Sequence, residues 1–413
     1  MSKQKLSRRD VLLRSGALGC SLAASPFMTP VTFASAPWEN RLVVILLRGG
    51  MDGLDVVQPY AAPSFDDMRG ALISSENAGQ NDLDGYFSLH AGLSGLRPMW
   101  DSDDLAFAHA VSTPYRDKRS HFDGQDLLEA GSGEVSGKTG MRDGWLNRLI
   151  QLQGAGYSTR TAFAVGREDL AILSGKAPVS EWGPNTKLPL SPQAQRLLEI
   201  VYHSDPLFNE TITEAIELAN LMNPLEAEVA ESENLMQEMA DTIREESAVG
   251  GHKRLAEFTA LQLKEETRIA SFSLNGWDTH RGQKNGIRAP LNRLQETLIT
   301  LKKELGPIWG KTAVVAMTEF GRTARLNGSS GTDHGTGGVM VLAGGAVRGR
   351  KVYSDWPGLE ASQLYRDRDL MPTEDVRSYA GSVLEGLFGV KQSDIETSVF
   401  PGLDMSAVPK VIL

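Results

Sequence analysis

Residues 41–55 read RLVVILLRGGMDGLD, and they join a strand pattern to a turn pattern. Its first part, Arg41 to Leu47, is a continuous apolar and β-branched run, and its second part, Arg48 to Gly53, is a glycine-rich turn. An unbroken apolar run that ends in turn residues is typical of a strand buried on both faces in a parallel sheet. Because open α/β sheets bind ligands at the carboxyl ends of their strands, we expect functional residues directly after this run.

The same pattern recurs along the chain. Further apolar runs followed by polar or glycine-rich turns lie at 105–111, 161–165, 269–274, 312–317 and 338–342. Apolar residues at helical spacing predict helices from Pro224 through Glu245, from Lys253 to Glu266 and from Ala289 to Leu305, and the acidic faces of the first two fit a solvated cover for a sheet. Strands that alternate with helices predict a three-layer α/β/α domain around a central, mostly parallel sheet.

The first 36 residues have the order of an export signal. Arg8 and Arg9 precede a short apolar run, which is followed by an Ala-x-Ala site at 34–36. We therefore predict a twin-arginine signal peptide over residues 1–36, transport by the twin-arginine translocase, and a single periplasmic or otherwise extracytoplasmic domain over residues 37–413. The apolar run is interrupted by Arg14 and is too short for a stable membrane span.

Composition and charge narrow the function further. The 413 residues are 41% hydrophobic and 23% charged, as expected for a globular domain. Cleavage after Ala36 would remove five basic residues and one acidic residue, and would change the net charge from −10 to −14. Such an acidic domain without a basic cluster is not expected to bind nucleic acid. The single cysteine, Cys20, lies inside the signal, so no disulfide is expected; lipid attachment to it is the alternative to cleavage after Ala36.

Polar clusters follow the predicted strands. They contain Asp52 and Asp55 in GGMDGLD, Ser120 in RSHFDGQD, Asp278 and His280 in GWDTH, Glu319 and Arg322 in TEFGRT, and Asp333 and His334 in GTDHG. Acidic or acid-plus-histidine clusters at successive strand ends, from Asp278 to His334, predict a shared polar site.

The first two clusters each have two interpretations. Asp52 and Asp55 can be site carboxylates, or they can serve a turn, since Asp-Gly is a favoured turn dipeptide. Ser120 can be a nucleophile at a helix start, or it can simply cap the helix that it precedes.

The later clusters point more directly to a metal. Asp278 and His280 can bind zinc or manganese, or can form a hydrogen bond that tightens a turn. Glu319 can bind a metal or act as a base while Arg322 holds an anionic group, or the two can form a local ion pair.

These motifs, together with VYSDWPGL, occur in one order behind a twin-arginine signal. The chain resembles in this respect the bacterial domain of unknown function 1501 family, and the resemblance covers roughly Leu42 to Leu359. That family looks like a remote relative of the alkaline phosphatase and sulfatase superfamily. The resemblance implies an alkaline-phosphatase-like sheet between helix layers and a divalent metal, which could be zinc, manganese or calcium.

The resemblance also implies roles for particular residues. Ser120 falls near the nucleophile, and the metal ligands are implied to be Asp52, Asp278, His280, Glu319, Asp333 and His334. Two positions depart from the pattern: Phe320 stands where the superfamily has a histidine, and Thr336 stands where many relatives have a second histidine. Fewer ligands imply at most one well-built metal site.

Two functions follow as hypotheses. The first is a metal-dependent hydrolase of a small anionic phosphate or sulfate ester, with Arg322 offsetting anionic charge and with Ser120 or water as the attacking group. The second is a catalytically inactive binding or envelope-assembly module on the same fold, in which the polar clusters only satisfy one another.

Overall fold

The computed structural model describes residues 38–73, 81–116, 119–133, 143–153, 157–166, 170–182 and 236–413, called the described residues below. The predicted signal peptide and the first part of the helix predicted from Pro224 lie outside these ranges. Among the described residues, no helix has both the length and the apolar character needed to cross a bilayer.

The described strands and helices alternate through most of the chain. The strands are Arg41–Arg48 (β1), Val57–Gln58 (β2), Ser88–Leu89 (β3), Leu105–Ser112 (β4), Ala162–Val165 (β5), Ser180–Trp182 (β6), Ile269–Asn275 (β7), Thr312–Met317 (β8), Gly338–Ala343 (β9), Lys351–Tyr353 (β10) and Glu374–Asp375 (β11). The α-helices are Gly53–Val56 (α1), Phe65–Arg69 (α2), Arg97–Asp101 (α3), His121–Ala130 (α4), Trp145–Leu152 (α5), Met236–Lys264 (α6), Gln283–Gly286 (α7), Arg288–Leu305 (α8), Val376–Phe388 (α9) and Gln392–Asp394 (α10).

Within the described residues, nine of these strands form one mixed sheet. Its order is β10-β4-β9-β8-β1-β7-β5-β6, and β11 pairs with β4. β1 lies in the middle and is parallel to both neighbours, β7 and β8. Only β9 is antiparallel to its neighbours, β4 and β8. β2 and β3 form a separate small antiparallel pair.

The side chains of β1 alternate between two apolar layers. Leu42, Val44 and Leu46 pack into a core with α5 and α9, and the residues between them pack into a second core with α3, α6 and α8. Burying each such side chain contributes roughly 1.5–3 kcal/mol, which explains why β1 is apolar on both faces. The predicted three-layer α/β/α architecture with a mostly parallel sheet is confirmed.

Strand direction brings several loops to one edge of the sheet. β1, β4, β7 and β8 run the same way, so their carboxyl ends lie at the same edge. β9 runs the opposite way, so the loop that joins β8 to β9 begins and ends at this edge as well. The residues that follow these strands are therefore close in space although they are far apart in sequence.

Candidate metal centre

Two loops and one helix start place ionisable side chains at this edge. The loop after β7 carries Asp278 and His280, the loop between β8 and β9 carries His334, and α4 begins at His121. The exit of β1 must pass close to the loop after β7. Gly49 permits this approach, because its φ is +118° and a Cβ atom there would lie 2.6 Å from the amide nitrogen of Asp278.

The carboxylate of Asp278 lies at the centre of the cluster. Four nitrogen atoms surround its Oδ1: Arg322 Nη2 at 2.8 Å, His280 Nε2 at 3.1 Å, His334 Nε2 at 3.3 Å and His121 Nε2 at 3.5 Å. The side chain of Asp278 is 46% exposed, whereas that of Arg322 is fully buried. The cluster is therefore open to solvent on one side and closed on the other by the guanidinium group of Arg322.

The three imidazole rings use their two nitrogen atoms in the same way. Each Nδ1 faces a group that can only accept a hydrogen bond: Glu319 Oε1 at 2.7 Å for His121, Asp333 Oδ1 at 3.1 Å for His280, and the carbonyl oxygen of Arg119 at 2.8 Å for His334. Each Nδ1 must therefore carry a proton and donate it. In a neutral ring this leaves the lone pair on Nε2, and all three Nε2 atoms point to the same place.

The carboxylates around the rings are held in the ionised form. Burial acts to raise the pKa of Glu319, but the hydrogen bond from His121 and backbone N–H groups outweigh it and lower that pKa. For Asp278, burial is likewise outweighed by the charges of Arg322 and His280, which lower its pKa. A hydrogen bond from Asn327 is the main cause that lowers the pKa of Asp333.

If all three rings are neutral, the inner face of the cluster contains only hydrogen-bond acceptors, the three Nε2 atoms and the carboxylate of Asp278, and no donor between them. Nε2 of His280 lies 2.9 Å from Nε2 of His334, so one of these atoms must carry an extra proton or both must face a cation. Nε2 of His121 is buried and makes no hydrogen bond to any described residue. Lone pairs that meet in this way around a carboxylate are the donor set of a metal centre.

The spacing of the donor atoms fits a single ion. Ligand atoms bound to zinc at about 2.1 Å in a tetrahedral arrangement are about 3.4 Å apart. The distances from Asp278 Oδ1 to the three Nε2 atoms run from 3.1 to 3.5 Å. Ligand atoms of His121, Asp278 and His334 all lie within 4.8 Å of one another. His280 is not part of this three-residue set, but its Nε2 lies 3.1 Å from Asp278 Oδ1 and 2.9 Å from His334 Nε2. A set of imidazoles with one carboxylate suits zinc or manganese, whereas calcium prefers oxygen ligands throughout.

The histidines differ in their affinity for protons. The hydrogen bond to Glu319 raises the pKa of His121 despite partial burial. Burial is the main cause that lowers the pKa of His334. A cation would therefore compete with a proton more at His121 than at His334.

Most residues predicted from the sequence lie in or around this cluster. Asp278, His280 and His334 form its inner face together. Glu319 and Asp333 contact Nδ1 atoms, so each lies outside the ring that it orients. Arg322 binds Asp278 and not an open surface, and its Nε and Nη1 have no hydrogen-bond partner among the described residues.

Ser120 is the N-cap of α4. Its Oγ accepts a hydrogen bond from the backbone N–H of Asp123 at 3.4 Å, and its own N–H donates to the hydroxyl of Tyr115 at 2.7 Å. The capping interpretation is therefore realised. Ser120 directly precedes His121 in the chain, and its side chain is only partly buried.

Asp52 has a different set of partners from the histidine cluster. Its carboxylate is fully buried and forms a two-pronged ion pair with Arg69, at 2.7 and 3.1 Å. The same carboxylate accepts a 2.6 Å hydrogen bond from Gln283. A guanidinium thus already neutralises the predicted metal ligand Asp52, and the turn residues after β1 contribute to internal packing.

The sequence interpretation missed His121. In the segment RSHFDGQD, the residue type that a helix start favours is Ser120, so the pattern predicts a role for its hydroxyl and not for the next residue. A usable signal was present: His121 follows the carboxyl end of a predicted strand, as Asp278 and His280 do. Its partner Glu319 is 198 residues away, so the orientation of its ring could not be predicted from sequence.

Comparisons with known proteins identify one family match and two solved structures of low sequence identity. The chain matches the family described as protein of unknown function (DUF1501) over residues 70–396. No curated protein matches it in sequence. Two solved structures are similar. The lipoteichoic acid synthase LtaP from Listeria monocytogenes is 8% identical over 90% of this chain and 79% of that chain, with a TM-score of 0.39. A protein in the alkaline phosphatase superfamily from Vibrio parahaemolyticus is 13% identical over 84% of this chain and 71% of that chain, with a TM-score of 0.31. Because the family match spans most of its length, the chain belongs to the DUF1501 family.

Proposed function

We propose that this protein is an exported hydrolase that uses one divalent cation, most simply zinc, to cleave small phosphate or sulfate esters. The ligands are His121, Asp278, His280 and His334. One observation carries the proposal: three rings have Nδ1 bound to an acceptor, and their Nε2 atoms converge on one carboxylate oxygen. The residues that bind Nδ1 fix the rings in the form that coordinates a metal.

Each outer residue has a defined task in this proposal. Glu319 and Asp333 orient His121 and His280, and the carboxylates increase the basicity of the rings. Arg322 holds Asp278 and adds a fixed positive charge beside the site. Because its guanidinium is buried and already oriented, it can stabilise anionic charge without rearrangement.

Ser120 is the proposed attacking group. When bound, the cation would polarise the ester and stabilise charge on the leaving oxygen. Ser120 Oγ forms a bond to phosphorus or sulfur while the bond to the leaving oxygen breaks, and the hydroxyl proton departs with the alcohol product. Water then cleaves the serine ester, which releases phosphate or sulfate and restores the hydroxyl.

Titration of zinc into protein that has been freed of metal with a chelator tests the metal centre. The wild type is expected to bind one zinc ion per chain, and His280→Ala is expected to weaken binding by roughly 100-fold or more, since a ligand is lost. His252→Ala is the matched control, because His252 is a buried histidine paired with Glu296 at 2.6 Å on α6 and α8. Wild-type protein that binds no divalent cation would support the inactive binding module instead.

A panel of aryl phosphates and sulfates tests the role of Ser120. Asparagine is a good N-cap without a nucleophilic hydroxyl, so Ser120→Asn is expected to keep α4 and zinc binding while hydrolysis falls by roughly 10³-fold or more. Ser158→Asn is the control, because Ser158 also caps a helical turn. Equal hydrolysis by Ser120→Asn and wild type would remove Ser120 from the mechanism.

The proposal places the protein outside the cytoplasm. It rests on the twin-arginine pattern of residues 1–36, and the translocase is the expected partner during export. N-terminal sequencing of exported protein is expected to begin at Pro37; a first residue of Met1 would argue against cleavage.

A further inference from the structure

Gln283, at the start of α7, is fully buried and uses both ends of its side-chain amide. Nε2 donates to Asp52 Oδ2 at 2.6 Å and to Asp55 Oδ2 at 2.8 Å. Oε1 accepts from the hydroxyls of Thr279, at 2.9 Å, and Thr332, at 2.6 Å. All the hydrogen-bonding capacity of the amide is used.

The two threonines belong to the loops that carry most of the proposed ligands. Thr279 lies between Asp278 and His280, and Thr332 lies two residues before His334. The backbone N–H of Thr332 also donates to the carbonyl of Thr279 at 3.1 Å. Oε1 of Gln283 therefore joins the loop after β7 to the loop between β8 and β9.

The other end of the amide is anchored to the exit of β1. Asp52 is held by Arg69, and the same guanidinium donates to the carbonyls of Thr323 and Ala324, at 2.7 Å each. These two carbonyls follow Arg322 in the chain. Through Asp52, Gln283 is thus connected to the segment that positions the buried guanidinium beside Asp278.

The chemistry of the contacts fixes which way the amide points. Asp52 is an ionised carboxylate paired with Arg69 and can only accept, so the amide nitrogen of Gln283 must face it and Oε1 must face the hydroxyls. No other neutral side chain of similar size offers two donors and two acceptor positions in one plane. A glutamate here would place a third carboxylate against Asp52 and Asp55.

We propose that Gln283 is a positioning residue that sets the spacing of the two ligand-bearing loops and so the affinity of the centre for its cation. This inference rests on the proposed metal site. Gln283 does not contact the ion or the substrate; it acts through Thr279 and Thr332. Residues that orient metal ligands in this indirect way change metal affinity by about 10- to 100-fold when replaced.

Competitive zinc titration of Gln283→Met tests the proposal, since methionine has a similar length and makes none of the four hydrogen bonds. We expect affinity to fall by about 10- to 100-fold. We also expect the visible spectrum of the cobalt-substituted protein to change in shape, which loss of stability alone would not cause.

The matched control is Asn147→Leu. Asn147 is another fully buried amide with four hydrogen bonds, to Leu173, Ala177 and Gln151, but it lies in α5. It is expected to lower stability and leave zinc affinity and the cobalt spectrum unchanged. If Gln283→Met does not fold, Thr279→Val and Thr332→Val each remove one hydroxyl contact, and each is expected to weaken zinc binding.

The outcomes separate the two proposals. If the wild type binds zinc and Gln283→Met, or both threonine variants, keep the same affinity and spectrum, only the proposed role of Gln283 is overturned. Absence of zinc binding by the wild type would overturn both the metal site and this inference.

Discussion

At the scale of single residues, the three histidines of the metal centre differ from His90 and His109 in what their Nδ1 atom does. His90 and His109 use Nδ1 to accept a backbone N–H, from Gly92 at 2.9 Å and from Ala110 at 2.8 Å. In the metal centre every Nδ1 faces an acceptor instead, so the proton of each neutral ring is on Nδ1 and not on Nε2. The donor lone pair then lies on Nε2, where an ion can use it. Residue type alone does not distinguish these two groups.

The candidate site could be predicted from sequence only in part. Asp278, His280 and His334 were identifiable because polar residues after successive parallel strands must meet at one edge. The division between inner ligands and outer residues was not identifiable, since Glu319 and Asp333 are acids in the same kind of motif. That division depends on which ring nitrogen each carboxylate contacts, and those contacts join segments 53 or more residues apart.

His109 is predicted to make stability depend on pH. It is completely buried, its Nδ1 accepts from Ala110, and its Nε2 donates to the carbonyl of Val57 at 2.9 Å. Burial lowers its pKa from 6.5 to about 4. The folded pKa lies below the unfolded one, so the unfolded chain binds more protons between these values. The stability from the neutral ring is present above pH 6.5 and is lost as the pH falls toward 4, by roughly 3 kcal/mol in total.

Urea unfolding of wild type and His109→Gln at pH 7.0 and pH 4.5 measures this contribution. Glutamine can still donate to Val57 but does not titrate, so the loss of unfolding free energy on acidification is expected to be smaller in the variant by about 1–3 kcal/mol. The same loss in both proteins would show that His109 does not titrate in this range.

At the scale of elements, the main strands follow directly from apolar runs. β1, β4, β7, β8 and β9 begin at the predicted residues, since each run is long enough to be buried on both faces. The two- and three-residue strands were not predicted, because so few residues leave no pattern and their pairing depends on partners far along the chain. The gap predicted between two acidic helices is also absent: α6 continues through Gly250 and Gly251. Each glycine costs about 1 kcal/mol, which packing against α8 offsets.

The close approach of β1 to the loop after β7 gives a prediction at this scale. In Gly49→Ala, the new Cβ would lie 2.6 Å from the amide nitrogen of Asp278, at a φ that disfavours alanine. Displacement of that loop is expected to lower zinc affinity by roughly 10-fold or more and to cost about 2–4 kcal/mol of stability.

Gly166→Ala is the control for backbone strain. Its φ is +132°, and a Cβ there would have no described atom within 4 Å. It is expected to cost about 1–2 kcal/mol and leave zinc affinity unchanged. If Gly49→Ala binds zinc as Gly166→Ala does, contact with the loop does not control the position of Asp278.

At the scale of the whole molecule, sheet topology is what assembles the centre. The three central strands β7, β1 and β8 are parallel. Among the described strands of this sheet, β9 is the antiparallel one, and it returns the loop that carries His334 to the same edge. The sequence predicted a mostly parallel sheet between helix layers, but not which strand is reversed. Reversal of β9 depends on the long loop after β8, in which Arg322 forms a bridge with His334 and the backbone N–H of Thr332 donates to the carbonyl of Thr279.

An anomalous difference map from crystals grown with zinc would locate the cation that the histidine cluster is proposed to bind. In data collected at the zinc absorption edge, we expect one strong peak per chain, about 2.0–2.1 Å from the Nε2 atoms of His121, His280 and His334 and near Oδ1 of Asp278. A map with no peak among these three rings, or with zinc bound only elsewhere, would contradict it.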